Sequence, residues 1–217
     1  GYHNRGLSKY NLKDYNGAIA DFTKAIELDP GYTEAYTNRG FCKYNLKDYY
    51  GAISDYTKVI ELDPESKGAY FNRGLSKDNL KDYNGAIADF TKAIELDPEY
   101  VKAYDRMARN KELLGDYKGA VENMDKIIEL DPSDSGNYSN RAWYKINIAE
   151  AKNSDYYSAI NDCKKAIELD PQNSYAFLNL GNAKKLLGDL KGACKDWSTA
   201  SNMNNKIAKN NIELYCN

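Results

Sequence analysis

Apolar and small residues recur along this chain in two alternating kinds of stretch, each with the three-to-four-residue spacing of an amphipathic helix. In the first kind an aromatic precedes a Gly or Ala by four: Tyr2 and Gly6, Tyr36 and Gly40, Tyr70 and Gly74, Tyr104 and Ala108, Tyr138 and Ala142, Phe177 and Gly181. In the second kind an alanine precedes a bulky or soft residue by four: Ala18 and Phe22, Ala52 and Tyr56, Ala86 and Phe90, Ala120 and Met124, Ala159 and Cys163, Ala193 and Trp197. Residues four apart share a helical face, so each stretch predicts a helix with one buried stripe. Asp14, Asp48, Asp82, Asp116, Asp155 and Asp189 stand where the second helices begin. A carboxylate there accepts a backbone N–H and suits the positive end of the helix. Five second helices close on E-L-D-P, and a residue before proline is driven out of the α region, so those helices stop there.

The helix pairs repeat. Pro30, Pro64, Pro98, Pro132 and Pro171 are spaced by 34, 34, 34 and 39, the last interval carrying five extra residues within positions 148–154. The tract Asn4 to Pro30 recurs at Asn72 to Pro98 with one difference in 27 positions, Tyr10 becoming Asp78. A hairpin cannot bury its apolar face alone, whereas a stack of hairpins can. Gly6, Gly40, Gly74, Ala108, Ala142 and Gly181 are expected opposite the second-helix alanines, where small residues let two helices approach.

This period, the aromatic, Gly/Ala, Asp-Tyr, Ala, aromatic and Pro signature, and the L-D-P ending resemble the tetratricopeptide repeat. The resemblance implies an all-α, right-handed superhelical solenoid in one domain, 1–217. Its six repeats are expected near 1–32, 33–66, 67–100, 101–134, 135–173 and 174–202, with a capping helix near 204–216 that covers the last repeat. The chain opens at Gly1 inside a repeat, which leaves room for a signal peptide or further repeats before it.

Arg5, Arg39, Arg73 and Arg141 depart from the family pattern, which has Leu there, and Lys9, Lys43, Lys77, Lys111, Lys145 and Lys184 stand where it has Tyr. Antiparallel pairing about the turn sets each Arg level with Asp21, Asp55, Asp89 or Asp162, and where Met107 replaces the Arg the acid becomes Asn123. Partly buried ion pairs within repeats are therefore expected. In the sixth repeat Leu180 faces a retained Asp196, served by Lys184. Repeats 1 to 3 have Lys at the turn where repeats 4 and 6 have Gly, so a slightly different turn is expected in them.

First helices line the concave groove in this family. On that face Asn4, Asn38, Asn72, Asn140 and Asn179 share one position, with Arg106 in the fourth repeat, and Asn11, Asn45, Asn79 and Asn147 follow seven residues on. A carboxamide donates and accepts, so such a ladder can bond a peptide backbone without reading its side chains. It resembles the asparagine ladder in the superhelix of the O-linked N-acetylglucosamine transferase; Asn is also common at this position in ordinary members of the family. Phe41, Phe71 and Trp143 interleave with the amides as candidate anchors. Lys102, Arg106 and Arg109 make the fourth repeat basic, suited to a carboxylate or acidic motif. Asn72, Lys102 and Arg106 match three of the five residues with which some members clamp chaperone tails, but Thr37 and Phe41 replace the other two.

Thirty basic against 32 acidic residues, a formal charge of −2, supply no excess for phosphate neutralisation, so no nucleic-acid partner is expected. No run of 18 apolar residues occurs, so no membrane span is expected. Cys42, Cys163, Cys194 and Cys216 form no C-x-x-C pair and read as reduced, buried thiols of a cytoplasmic protein. With His3 the sole histidine, no zinc site and no cofactor are expected, and a catalytic triad could be assembled only around that one residue. The expected function is an adaptor or scaffold that binds an extended segment of a partner protein or peptide. Two alternatives stand beside it: a structural module forming homo-oligomers by end-to-end stacking of terminal repeats, and a regulatory fragment of a larger enzyme.

Overall fold

The computed structural model describes residues 1–148 and 150–216. These residues form thirteen α-helices and no strand: α1 (Tyr2–Asn11), α2 (Tyr15–Leu28), α3 (Thr33–Asn45), α4 (Tyr49–Leu62), α5 (Lys67–Asn79), α6 (Tyr83–Leu96), α7 (Val101–Leu113), α8 (Tyr117–Leu130), α9 (Ser135–Asn147), α10 (Asn153–Leu169), α11 (Ser174–Leu186), α12 (Leu190–Asn202) and α13 (Lys206–Tyr215). They fall into two compact units, 1–110 and 111–217, with the division inside α7. Within each unit consecutive helices pack as antiparallel hairpins; α2 packs on α3, α4 on α5, α8 on α9, α10 on α11 and α12 on α13, and α6 shares a core cluster with Ala103 and Met107 of α7.

Local chemistry sets the element ends. Asp14, Asp48, Asp82, Asp116 and Asp189 accept from the backbone N–H of Gly17, Gly51, Gly85, Gly119 and Gly192 at 2.8–3.0 Å. Asp155 differs from its expected role, because the insertion lengthens α10 to 17 residues and moves its start to Asn153. Asp155 therefore sits inside the first turn and accepts from the Lys152 N–H at 2.7 Å. Ala149, within the inserted stretch, lies outside the described residues. At the other end, the L-D-P aspartates leave the helix and their carboxylates accept an N–H two residues on, as Asp29 does from Gly31 at 3.0 Å and Asp97 from Glu99 at 3.1 Å.

The turns differ slightly, as expected: the glycine turns add a hydrogen bond from the Tyr117 or Leu190 N–H to the Gly115 or Gly188 carbonyl at 3.0 Å. Lys13, Lys47 and Lys81 adopt φ of 61°, 63° and 62°, beside 79° and 88° at Gly115 and Gly188. The following aspartate N–H closes on the carbonyl five residues back in all five turns. The lysines thus keep the shared turn and bear the left-handed strain a Cβ brings.

The first-helix glycines make room for rings, and at Gly181 also for the opposing Ala193, whose carbonyl an added Cβ would meet at 3.0 Å. A Cβ on Gly6, Gly40 or Gly74 would stand 2.7–2.9 Å from Phe22, Tyr56 or Phe90. Where the second helix offers the smaller Cys163, the first carries Ala142, and both are buried.

All four arginine pairs form. Arg5, Arg39, Arg73 and Arg141 reach Asp21, Asp55, Asp89 and Asp162 at 2.5–2.7 Å. Lys9, Lys43, Lys77 and Lys145 take the other carboxylate oxygen at 2.7–2.9 Å. Each guanidinium also lies over Tyr2, Tyr36, Tyr70 or Tyr138 at 5.3–5.6 Å. The remaining Nη1 reaches back one repeat: Arg39 to Thr23 at 3.1 Å, Arg73 to Thr57 at 3.2 Å, Arg141 to Asp125 at 2.8 Å. In the fourth repeat Thr91 meets the Met107 sulfur at 3.5 Å instead. Lys184 stands 2.6 Å from Asp196, as expected.

The cysteines divide. Cys42 and Cys163 are buried thiols, and burial pushes Cys42 up to about 11. Cys194 and Cys216 are instead joined as a disulfide, contrary to the reading of four reduced thiols. The bond ties α13 to α12, where Ala208 and Ile212 cover Leu178 and Trp197, so the expected capping helix is present and covalently held.

Candidate functional site

In the first unit, α3 presents Asn38, Phe41 and Asn45 along one face, and α5 presents Asn72, Leu75 and Asn79. Between the two helices lies a concavity of about 180 Å³ lined by Phe41, Tyr44, Asn45, Tyr56, Asn72 and Leu75. Asn4 is exposed, and Asn38 and Asn72 are half-buried. Their amides make no side-chain hydrogen bond among the described residues. The second row is different, because Asn45 Nδ2 donates to the Phe41 carbonyl at 2.7 Å and Asn79 Nδ2 to the Leu75 carbonyl at 2.9 Å and the Tyr44 hydroxyl at 3.0 Å. Those donors are occupied by the fold, while their Oδ1 atoms stay available as acceptors.

The anchors are unequally presented. Phe41 is half-buried with its ring edge-on to Tyr56 at 5.9 Å. Phe71 packs between Phe90 at 5.6 Å and Tyr100 at 5.0 Å, so much of its ring is used between stacked helices. On α7, Lys102 and Arg109 are exposed and Arg106 is half-buried; none of the three makes an ion pair among the described residues. This unit thus carries a face with free amides, an aromatic-lined recess and unneutralised cations.

In the second unit Asn140 is exposed and unbonded among the described residues. Trp143 is 37% exposed, and its indole N–H donates to Glu112 at 3.2 Å. Asn179 departs from the expected ladder. It is buried and donates to the Ser139 carbonyl at 3.0 Å, because α11 packs directly against α9 there. Its amide is spent inside the fold.

Asp21 is held below the usual carboxylate range by its hydrogen bond from Arg5 and then by that from Lys9. Burial raises Asp196, and the attraction of Lys184 only partly opposes it. Among the described residues no group of three or more His, Cys, Asp or Glu is placed to hold a metal, and no helix is long and apolar enough to cross a membrane.

Comparison with solved structures places this architecture among known folds. A crystal structure of the MamA protein is 24% identical, with 80% of this chain and 92% of that chain covered and a TM-score of 0.71. YrrB, described as a TPR protein with an unusual peptide-binding site, is 21% identical, covering 86% of this chain and 94% of its own, at a TM-score of 0.73. The first TPR of Spaghetti (RPAP3), bound to the HSP90 peptide SRMEEVD, is 26% identical over 52% of this chain and 90% of its own, at a TM-score of 0.51. A comparison with curated protein sequences finds no match. Family models described as tetratricopeptide repeat match residues 1–32, 33–66 and 68–100, 101–134 and 141–173, and 163–195. With most of its length matched in this way, the chain belongs to the tetratricopeptide repeat family.

Proposed function

We propose that this protein is a protein-interaction module whose first unit binds an extended segment of a partner across the exposed face of α1, α3 and α5. The observation that carries the reading is the pair of unspent amides, Asn38 and Asn72, on adjacent first helices, with Asn72 at the rim of the recess beside Phe41. A partner's backbone offers the alternating N–H and C=O groups that such amides match. The peptide-binding description of YrrB and the peptide bound to Spaghetti lend this support by likeness of fold. Lys102, Arg106 and Arg109 favour acidic residues in the segment. In the second unit, Asn140 and Trp143 form a separate patch of similar chemistry. Each hydrogen bond contributes about 0.5–1.5 kcal/mol net, against the ordering of a flexible segment, which points to affinities on the order of micromolar.

Catalysis has no place in this reading. The sole histidine, His3, packs against the rings of Phe22 and Tyr32. The Cys194–Cys216 bond favours an oxidising compartment over the cytoplasm first expected, since such bonds persist there.

Selection from a random-peptide display library tests the reading. Peptides that bind the wild-type protein should bind the Asn38→Ala/Asn72→Ala variant at least tenfold more weakly. Equal binding to both proteins defeats the proposal.

A further inference from the structure

At the best-packed position of the second helices, repeats 1 and 3 carry Phe22 and Phe90, whereas repeat 2 carries Tyr56. All three are essentially fully buried, Tyr56 at 1% exposure, and each ring lies against the glycine of its own hairpin. The packing therefore needs a six-membered ring and no hydroxyl. The Tyr56 hydroxyl finds no hydrogen-bond partner among the described residues. It is nonetheless not among the buried atoms left without a partner, so the oxygen keeps a little contact with solvent, whereas the neighbouring repeats present only carbon there.

Tyr56 is also a wall of the recess between α3 and α5, beside Phe41, Tyr44 and Leu75. At about 180 Å³ the recess equals about six water volumes, room for one ligand side chain. Its rim carries Asn45, whose donor is tied to the Phe41 carbonyl at 2.7 Å, leaving Oδ1 as an acceptor. Asn72 on the opposite helix has both functions free. Burial also raises the Tyr56 phenol, so the hydroxyl stays protonated as a donor.

Resting on the groove reading above, we propose that this recess is a specificity pocket for a single carboxamide side chain, a glutamine of the bound segment. Its methylenes lie against Phe41 and Leu75, its oxygen accepts from the Tyr56 hydroxyl, and its amino group donates to Asn45 Oδ1. A hydrocarbon side chain of equal length fills the same space but leaves the hydroxyl unpaired. A carboxylate brings a charge into a ring-lined recess. Sites that present a buried polar group reject analogues unable to pair with it far more strongly than they reject a missing methylene.

The experiment uses one peptide selected on the wild-type protein, remade with glutamine or norleucine at each position in turn. Binding is measured by fluorescence anisotropy to the wild type, to Tyr56→Phe and to Asn38→Ala/Asn72→Ala. Tyr56→Phe keeps the fold, since phenylalanine already occupies the equivalent place in two repeats; an unchanged thermal melt verifies this. At one peptide position glutamine should bind the wild type about tenfold more tightly than norleucine, and Tyr56→Phe should erase that preference. If no position prefers glutamine, or if Tyr56→Phe retains the preference, the pocket assignment falls. The broader reading then survives so long as the double alanine variant still loses affinity. If no peptide binds, or none is weakened by the double variant, both fall together.

Discussion

Replacing Arg39 and Asp55 by the pair that the fourth repeat already uses, Met and Asn, tests what the ion clusters do for the fold. Asp55 is 2% exposed and Arg39 16% exposed. The carboxylate receives Arg39 Nη2 at 2.6 Å and Lys43 Nζ at 2.8 Å. Asp55→Asn strands two part-buried cations at once, a loss of about 3–5 kcal/mol on the scale of broken buried pairs. Arg39→Met leaves the carboxylate still paired with Lys43, so its cost is smaller. The double variant recreates the Met107 and Asn123 combination. There the amide donates to the Gly119 carbonyl at 2.7 Å, and Lys111 has the same carbonyl at 3.4 Å. The amide introduced by Asp55→Asn can turn to the Gly51 carbonyl in the same way, so the double variant should be more stable than the sum of single losses by about 1–3 kcal/mol. Urea denaturation followed by far-UV circular dichroism on all four proteins measures this coupling. The same cycle on Arg5 and Asp21 should give less, because the Arg5 side chain is 60% exposed and exposed pairs are screened. Additive losses at Arg39 and Asp55, or equal coupling at both sites, would refute the reasoning.

Further outcomes follow from the same geometry. Lys47→Gly removes a Cβ from a left-handed residue of φ 63° and should stabilise the protein by about 0.5–1 kcal/mol in urea; a loss would show that the lysine holds its place through contacts. Serine at both Cys194 and Cys216 removes a crosslink spanning 22 residues and should cost about 3 kcal/mol. Faster amide exchange confined to α13 and α12 is the matching signature. Two aspartates should respond to acid with opposite sign. Asp21 is depressed, chiefly by Arg5, so its contribution is present above the unfolded carboxylate value of about 3.9 and lost as pH falls towards its folded value. Asp196 is raised by burial, so the folded state holds its proton more tightly and stability declines as pH rises past about 3.9. Asp21→Asn should lower the melting temperature at neutral pH and Asp196→Asn raise it, both differences shrinking in strong acid; matching signs would overturn the assignment.

What the sequence disclosed depended on whether a partner was local or covaried. The aspartate caps and L-D-P stops were legible because each acts within three residues. The arginine pairs were legible because Met107 and Asn123 change together. The lysines sharing those carboxylates were not, since Lys111 persists where the acid is gone. Asn179 looked like Asn140 by position, and only the packing of α11 on α9 distinguishes them. The disulfide had no spacing signature, because it depends on α13 folding back onto α12. Tyr56 did carry a visible signal, a tyrosine among phenylalanines, whose meaning waited on the recess it lines.

The backward reach of Arg39, Arg73 and Arg141 to Thr23, Thr57 and Asp125 has a consequence for how disorder spreads. Loss of one hairpin takes away a binding partner of the next, so melting is passed along the chain like a falling row of tiles. The row has a gap where Thr91 meets only the Met107 thioether. Unfolding begun among the first three hairpins should slow at that seam, leaving the fourth as the natural edge of a partly melted molecule.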